Sequence, residues 1–179
     1  MKLPADCRYA TKAPTRGSII DKIDDGEIAC CRSRHSTVFS LYGHPEPLCQ
    51  VTGVEVYRFH WMQAFGAHAD VCIARRGTEI MLSRGYHPAV SADVERFNAT
   101  LTIDEWRRLQ NALIEANFWS LERSIYPVDI AILDGYELVV EGRRNNAYTA
   151  TLMVNPRAAE LRQLGQVAFD MAGLASIRF

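Results

Sequence analysis

Hydrophobic and polar residues alternate along several short stretches of the chain after residue 53. In the stretch VEVYRFHWMQAF, Tyr57, Phe59 and Trp61 fall on one side of an extended chain, and Arg58 and His60 fall on the other. The stretch is also rich in β-branched and aromatic residues, which are common in strands. The pattern therefore predicts a long strand with two different faces.

The same two-residue period predicts five further strands, separated by turn-forming residues. Phe97 is expected to be the inward-facing residue of the fourth, and the third is expected to break at Gly85. The segment GRRNN, residues 142–146, predicts a turn between the last two strands. The five strands fall near positions 71–75, 80–82, 92–100, 136–141 and 147–154.

A change to a three- and four-residue period predicts a helix that starts after Thr102. Trp106, Leu109 and Leu113 lie on one face of this helix, which is therefore expected to be buried. Thr102 and Glu105 have the spacing of a capping box, in which each side chain satisfies a backbone N–H of the first turn.

A second helix is predicted near the end of the chain. Asn155 is the expected N-cap, with Pro156 at the first helical position, where the missing N–H costs nothing. Leu161 and Leu164 are expected on the buried face, and Gly173 is suited to the helix end.

Four strands, a helix, two strands and a helix predict an α+β fold. Neighbouring strands joined by short turns run antiparallel. We therefore expect one antiparallel sheet of about six strands with both helices packed on one face, in the order ββββαββα. Residues 1–53 are interpreted as a partly irregular N-terminal extension and residues 54–179 as a single domain.

Composition narrows the classes of partner. The net charge is −1, so no overall field attracts nucleic acid, which is not an expected partner. No apolar run reaches the roughly 20 residues that span a bilayer. The first residues also lack the apolar segment of a signal peptide, so we expect a cytoplasmic protein unless a leader has been removed.

The five cysteines are expected to be thiols in a reducing compartment, and Cys72 is expected to be a small core residue. Zinc accepts cysteine and histidine ligands, and several of these fall close together in the extension. Their spacing matches no zinc finger, so ordinary loop residues or an export-dependent disulfide are the alternatives. The zinc candidates are Cys30, Cys31, His35, His44 and Cys49.

No glycine-rich phosphate-binding motif, zinc-protease motif or nucleophile elbow is present, and we expect no cofactor. The strongest acid–base candidates are His60, His68 and His87, with Asp70 as a carboxylate partner. Structural or solvent-exposed histidines are the simpler interpretation.

Charged residues on the strands suggest two further features. Arg75, Arg76, Arg143 and Arg144 fall near predicted hairpin turns, and they would form an anion site if both turns lie at one edge of the sheet. Glu141 is expected on a polar outer face, where it could pair with Tyr148 or a strand arginine.

The spaced motifs YRFHW, FWSL and LDGYELVVEG resemble a family of uncharacterised bacterial proteins with a YRFxW strand, FWxL, and an aspartate–glycine start to a glutamate-bearing strand. The resemblance spans about residues 54–174. It implies a single α+β domain and assigns no activity.

Three hypotheses follow. The preferred one is a non-enzymatic domain that binds a protein partner or ligand, such as an inhibitor, immunity-like or accessory protein, with an open sheet face as the docking surface. The second is a small hydrolase or lyase that uses a histidine and a carboxylate within about 3.2 Å of each other in a pocket. The third is a zinc-binding N-terminal extension.

Overall fold

A computed structural model of the chain describes residues 54–64, 66–89, 94–121, 135–145 and 147–179. Residues 1–53 therefore lie outside the description. The described strands are β1 (Glu55–Gln63), β2 (His68–Arg76), β3 (Glu79–His87), β4 (Glu95–Thr100), β5 (Tyr136–Arg144) and β6 (Ala147–Val154). The helices are α1 (Ile103–Glu115) and α2 (Ala159–Met171), with a short 3₁₀ turn at Phe118–Ser120.

The six strands form one sheet in the spatial order β4-β3-β2-β1-β5-β6. Every neighbouring pair is antiparallel. The long connection through α1 brings β5 back beside β1, so the first strand lies between β2 and β5. The predicted α+β fold and element order are confirmed. No helix in the described ranges is long and apolar enough to cross a membrane.

Both helices pack on the sheet face that carries Tyr57 and Phe59, which we call the helix face. The apolar side of α1 is buried against it, as its periodicity predicts, and Trp106 lies 6.0 Å from Tyr57 between ring centroids. Leu164 of α2 joins the same core. Burial of this shared apolar surface is the main force that holds the helices to the sheet.

The capping box at the start of α1 is present. The Thr102 hydroxyl accepts a hydrogen bond from the Glu105 backbone N–H at 3.2 Å, and the Glu105 carboxylate accepts one from the Thr102 backbone N–H at 2.7 Å. These hydrogen bonds hold the pKa of the Glu105 carboxyl below its ordinary value. The sequence therefore located this helix start correctly.

The predicted start of α2 is wrong by three residues. The helix begins at Ala159, and Asn155 is not its cap. Instead, Asn155 adopts a left-handed conformation with φ of 44°. Its side-chain oxygen accepts from the Tyr136 N–H at 2.8 Å, and its own N–H donates to the Tyr136 carbonyl at 3.0 Å. Asn155 thus hydrogen-bonds to Tyr136 at the end of the β5–β6 pair, and its side chain does not cap the helix.

Gly173 ends α2 as predicted, with φ of +71°. Its N–H donates to the carbonyl of Asp170, and the N–H of Leu174 donates to that of Phe169. This is the Schellman arrangement, which needs a left-handed residue after the helix.

Three strands are longer than predicted, and one inward residue is wrong. β2 begins at His68, three residues before its predicted start. β3 continues through Gly85 to His87, and β5 continues to Arg144. Phe97 is 41% exposed, because β4 is an edge strand. Its ring lies 5.2 Å from the Arg84 guanidinium instead of in the core.

The opposite face of the sheet, which we call the second face, is not the open polar surface that the sequence predicts. Arg58 and Glu141 are 1% and 0% exposed, and Val56 and Val139 are also buried there. The central strands β1, β2 and β5 are therefore buried on both faces. The central part of this face is therefore not the open surface on which the docking hypothesis depends.

Cys72 also projects from the second face. It is buried beside Val56 and Ala74, as expected, but it is disulfide-bonded. The expectation of a free thiol is therefore wrong for this cysteine. The other four cysteines all precede residue 50 and fall outside the described residues.

Candidate functional site

The three histidines and the aspartate singled out from the sequence lie together on the second face. His60 of β1 is directly opposite Asp70 of β2, and His68 of β2 is directly opposite His87 of β3. Because side chains alternate along a strand, all four point to the same face of the sheet. We call this group the histidine cluster.

His60 and Asp70 are in direct contact. The His60 Nδ1 and Asp70 Oδ1 atoms are 2.5 Å apart, and the residues are 1% and 5% exposed. A carboxylate at one ring nitrogen fixes the orientation of an imidazole and favours a proton on that nitrogen. The distance therefore meets the 3.2 Å criterion for an acid–base pair, although neither group is open to solvent.

His68 and His87 are stacked, with ring centroids 3.9 Å apart and planes at 19°. Burial, with a smaller contribution from the nearby His87 ring, lowers the pKa of His68 to about 4. Burial also lowers the pKa of His87. Both rings are only half-buried and are neutral at pH 7. The pair therefore presents uncharged imidazoles to its surroundings.

The histidine cluster lines neither of two described clefts, and its side chains are not arranged as a metal site of three or more ligands. A cleft of about 370 Å³ lies between α1 and α2 and is lined by Arg108 and Gln163, among others. A second, of about 660 Å³, lies beside Asn155 and Phe179. Neither includes a histidine. Within the described ranges, no three or more His, Cys, Asp or Glu side chains are arranged to hold a metal ion.

The four arginines of the proposed anion site separate into two pairs. The β2–β3 and β5–β6 turns do lie at the same end of the sheet, which we call the arginine end. However, alternation places Arg75 and Arg144 on the helix face and Arg76 and Arg143 on the second face. Arg143 is also buried. The expected convergence of all four guanidinium groups is therefore wrong.

Arg75 and Arg144 are each held against a tryptophan. The Arg75 guanidinium lies 5.6 Å from the ring centroid of Trp106, and that of Arg144 lies 5.0 Å from Trp119. Between the two tryptophans lies Tyr57, with ring centroids 6.0 and 6.1 Å away. At the arginine end, two guanidinium groups thus lie against a row of three contacting aromatic rings, Trp106, Tyr57 and Trp119.

Glu55 lies between the two arginines. It is directly opposite Arg75, and the β1–β5 register places Arg144 beside it on the other side. The Tyr57 hydroxyl donates to Glu55 at 2.7 Å, and the Gln110 amide donates to it at 3.3 Å. Burial raises the pKa of Tyr57 and the Glu55 contact adds to the effect, so the phenol stays a donor.

Glu141 belongs to a buried ion pair and not to an outer face. Its Oε2 atom is 3.5 Å from Arg58 Nη1, and its Oε1 atom accepts from the Tyr148 hydroxyl at 2.9 Å. The expected pairing with Tyr148 and a strand arginine is therefore confirmed, while the expected exposure is wrong. Buried charges require such partners.

Several predicted site residues cannot be placed. The zinc candidates Cys30, Cys31, His35, His44 and Cys49 lie outside the described residues.

Sequence reasoning missed the role of the tryptophans and of Glu55 at the arginine end. The signal was partly present, because alternation from Tyr57, Ile73 and Val140 places Glu55, Arg75 and Arg144 on one face. The sequence pattern did not show that β5 pairs with β1, and this pairing brings the β2–β3 and β5–β6 hairpins to the same end of the sheet. Comparison with protein-family models and with curated proteins finds no match. The resemblance to a bacterial family stays a prediction.

Proposed function

We propose that this domain is a non-enzymatic binding protein, of the inhibitor, immunity-like or accessory kind, and that it docks an acidic segment of a protein partner at the arginine end. The observation that carries the proposal is the pair of guanidinium groups of Arg75 and Arg144, each held over a tryptophan on the same face. The open sheet face of the sequence-based hypothesis plays no part in it.

The arrangement suits binding because its cations are preorganised. Arginine side chains normally lose conformational freedom when they are fixed at an interface. Stacking over Trp106 and Trp119 restricts Arg75 and Arg144 before any partner arrives. The Nε atom of Arg75 donates to the Gly77 carbonyl at 2.9 Å, and its terminal nitrogens are left to pair with a carboxylate. Aromatic residues and arginine are enriched at the energetic centres of interfaces.

The charge pattern indicates a peptide segment and not a small free anion. Arg75, Glu55 and Arg144 form a positive–negative–positive row across three neighbouring strands. The Cα atoms of the two arginines are therefore about 10 Å apart, which is two strand spacings. A single small anion between them would meet the Glu55 carboxylate. A chain with two separated carboxylates and a donor between them complements all three groups.

The test uses an array of immobilised synthetic peptides in which glutamate and lysine are placed in different patterns. We expect the full chain to bind peptides with two spaced glutamates, and to bind them less as salt is raised, because exposed charges are screened. The double variant Arg75→Gln/Arg144→Gln should lose this binding. The matched control is Arg107→Gln/Arg178→Gln, which removes two exposed arginines elsewhere.

Loss of binding in the first double variant alone supports the proposal. Equal loss in both double variants, or no binding of any acidic peptide by the unaltered chain, contradicts it. Urea unfolding of each variant shows whether the fold is retained, so that misfolding is not mistaken for loss of a site.

A second candidate function is acid–base catalysis by His60 and Asp70, in a small hydrolase or lyase. Its support is their 2.5 Å contact, which has the geometry of an oriented general base. The burial of both groups makes it the lesser candidate, since substrate must reach the ring.

The catalytic alternative is tested with p-nitrophenyl acetate and a set of short-chain esters. Turnover above that of free imidazole, abolished in His60→Gln and reduced with an altered pH profile in Asp70→Asn, would support it. If the unaltered chain turns over these esters no faster than His60→Gln does, the catalytic hypothesis is contradicted.

A further inference from the structure

His68 and His87 form a cross-strand pair of histidines. They are directly opposite each other on the antiparallel strands β2 and β3, and both project from the second face. Their rings lie 3.9 Å apart, centroid to centroid. This end of the sheet is opposite to the arginine end, so the pair is independent of the proposed docking surface.

Two adjacent neutral imidazoles are a chelating unit. Each neutral ring has one nitrogen with a lone pair, and imidazole is the most common protein ligand for zinc, copper and nickel. Protonation abolishes this ability, so binding is expected above the ordinary imidazole pKa of about 6.5. Both residues are half-buried, so an ion can reach them from solvent.

We propose that His68 and His87 form a two-nitrogen binding site for a divalent transition-metal ion such as Cu²⁺, Ni²⁺ or Zn²⁺. A shared ion would lie about 2.0–2.1 Å from one nitrogen of each ring, which requires both rings to rotate out of the stack. Water completes the coordination. Because only two protein ligands are involved, the site agrees with the finding that no described group of three or more is arranged for a metal.

Asp70 supports the site through its charge. It lies two residues from His68 on the same face, and its negative charge attracts a divalent cation. Arg96, whose positive charge acts on His87, opposes this attraction. His60 is not a ligand in this proposal, because its ring is engaged by Asp70.

The experiment is a titration of the metal-free full chain with Cu²⁺ and Ni²⁺ at pH 7.5, followed by calorimetry, with electron paramagnetic resonance of the Cu²⁺ complex. We expect a site with two imidazole nitrogens per Cu²⁺. His68→Gln and His87→Gln should each weaken binding by about tenfold or more, at least as much as the loss of an outer-shell partner does.

The control is His35→Gln/His44→Gln, which removes the histidines among the zinc candidates of the first fifty residues and should leave the affinity unchanged. Loss of binding in that control with unchanged binding in His68→Gln and His87→Gln would overturn the proposal. So would a Cu²⁺ spectrum without two histidine nitrogens, or no binding by the unaltered chain. The spectrum is read on the unaltered chain, so this result does not depend on the folding of any variant.

Discussion

Arg58 and Glu141 are directly opposite each other on β1 and β5, and they form an ion pair across the second face with both side chains buried. The strands that carry them are separated by about eighty residues of chain. Burial of two charges is costly unless each keeps its partner and its hydrogen bonds. This ion pair therefore favours a single register between β5 and β1, and so between the β5–β6 and β1–β2 hairpins.

Glu141→Gln should destabilise the domain by about 3 kcal/mol, because it leaves the Arg58 charge buried without its counter-ion. The measurement is the free energy of unfolding in urea. Tyr148→Phe, which removes one hydrogen bond to the same carboxylate, should cost about 1–2 kcal/mol. The double variant Arg58→Met/Glu141→Leu should cost less than the sum of its single changes. A Glu141→Gln protein as stable as the original would show that the pair does not hold the register.

Gly142→Ala should destabilise the domain by about 1–3 kcal/mol through overpacking. An added Cβ would lie 2.6 Å from Phe118 Cε1 and 3.0 Å from Tyr57 Cδ1, and both rings are fixed in the core. The matched control is Gly66→Ala, whose Cβ would lie nearest to the flexible end of the exposed Gln63 side chain, with Oε1 at 2.9 Å. Thermal unfolding of the two variants provides the comparison. Equal melting temperatures would mean that the Phe118 ring is not packed against β5.

Acidification should destabilise the fold through His68. Its pKa is about 4 in the folded protein, against the ordinary 6.5 of an unfolded chain. Between these values the unfolded state binds more protons, so stability rises with pH and is lost as pH falls from about 6.5 towards 4. Because the ring is half-exposed and screened, we expect only about 1–2 kcal/mol from this group.

The pH effect is measured as the difference in unfolding free energy between pH 7 and pH 5, in the original protein and in His68→Gln. Carboxylates contribute equally to both proteins, so the variant isolates the histidine. The variant should show the smaller difference. An identical difference in the two proteins would place the His68 pKa near its ordinary value.

Thr102→Ala should cost about 1 kcal/mol, because it removes the hydroxyl that accepts from the Glu105 N–H at the start of α1. Thr102→Ser keeps the hydroxyl and is the control, with a change of a few tenths at most. Unfolding monitored by circular dichroism at 222 nm gives both values. A loss of equal size in the serine variant would assign the effect to the threonine methyl group.

The sequence located the elements well where the signal is local. The alternation around Tyr57 and Phe59 predicted which residues face the helices, and the Thr102–Glu105 spacing predicted a helix start. It failed where a residue serves a distant strand. Asn155 has the chemistry of a helix cap, but its contact is with Tyr136, nineteen residues earlier.

The candidate sites show the same division. Residue types and alternation were enough to list His60, His68, Asp70 and His87 as a set with one orientation. Their contacts depend on the register of β1–β2–β3, in which a slip of one residue would turn each side chain to the other face. Sequence patterns could not supply that register.

The sequence by itself determined the α+β class, the helix face and the two amphipathic helices, because hydrophobic periodicity is a property of neighbouring residues. Only the tertiary structure decided that β5 returns to β1, that the second face is buried, and that Arg75 and Arg144 share one end while Arg76 and Arg143 lie on the other face. These outcomes depend on which distant strands pair and in which register. That choice is set by the packing of the whole sheet and its helices, which no local pattern encodes.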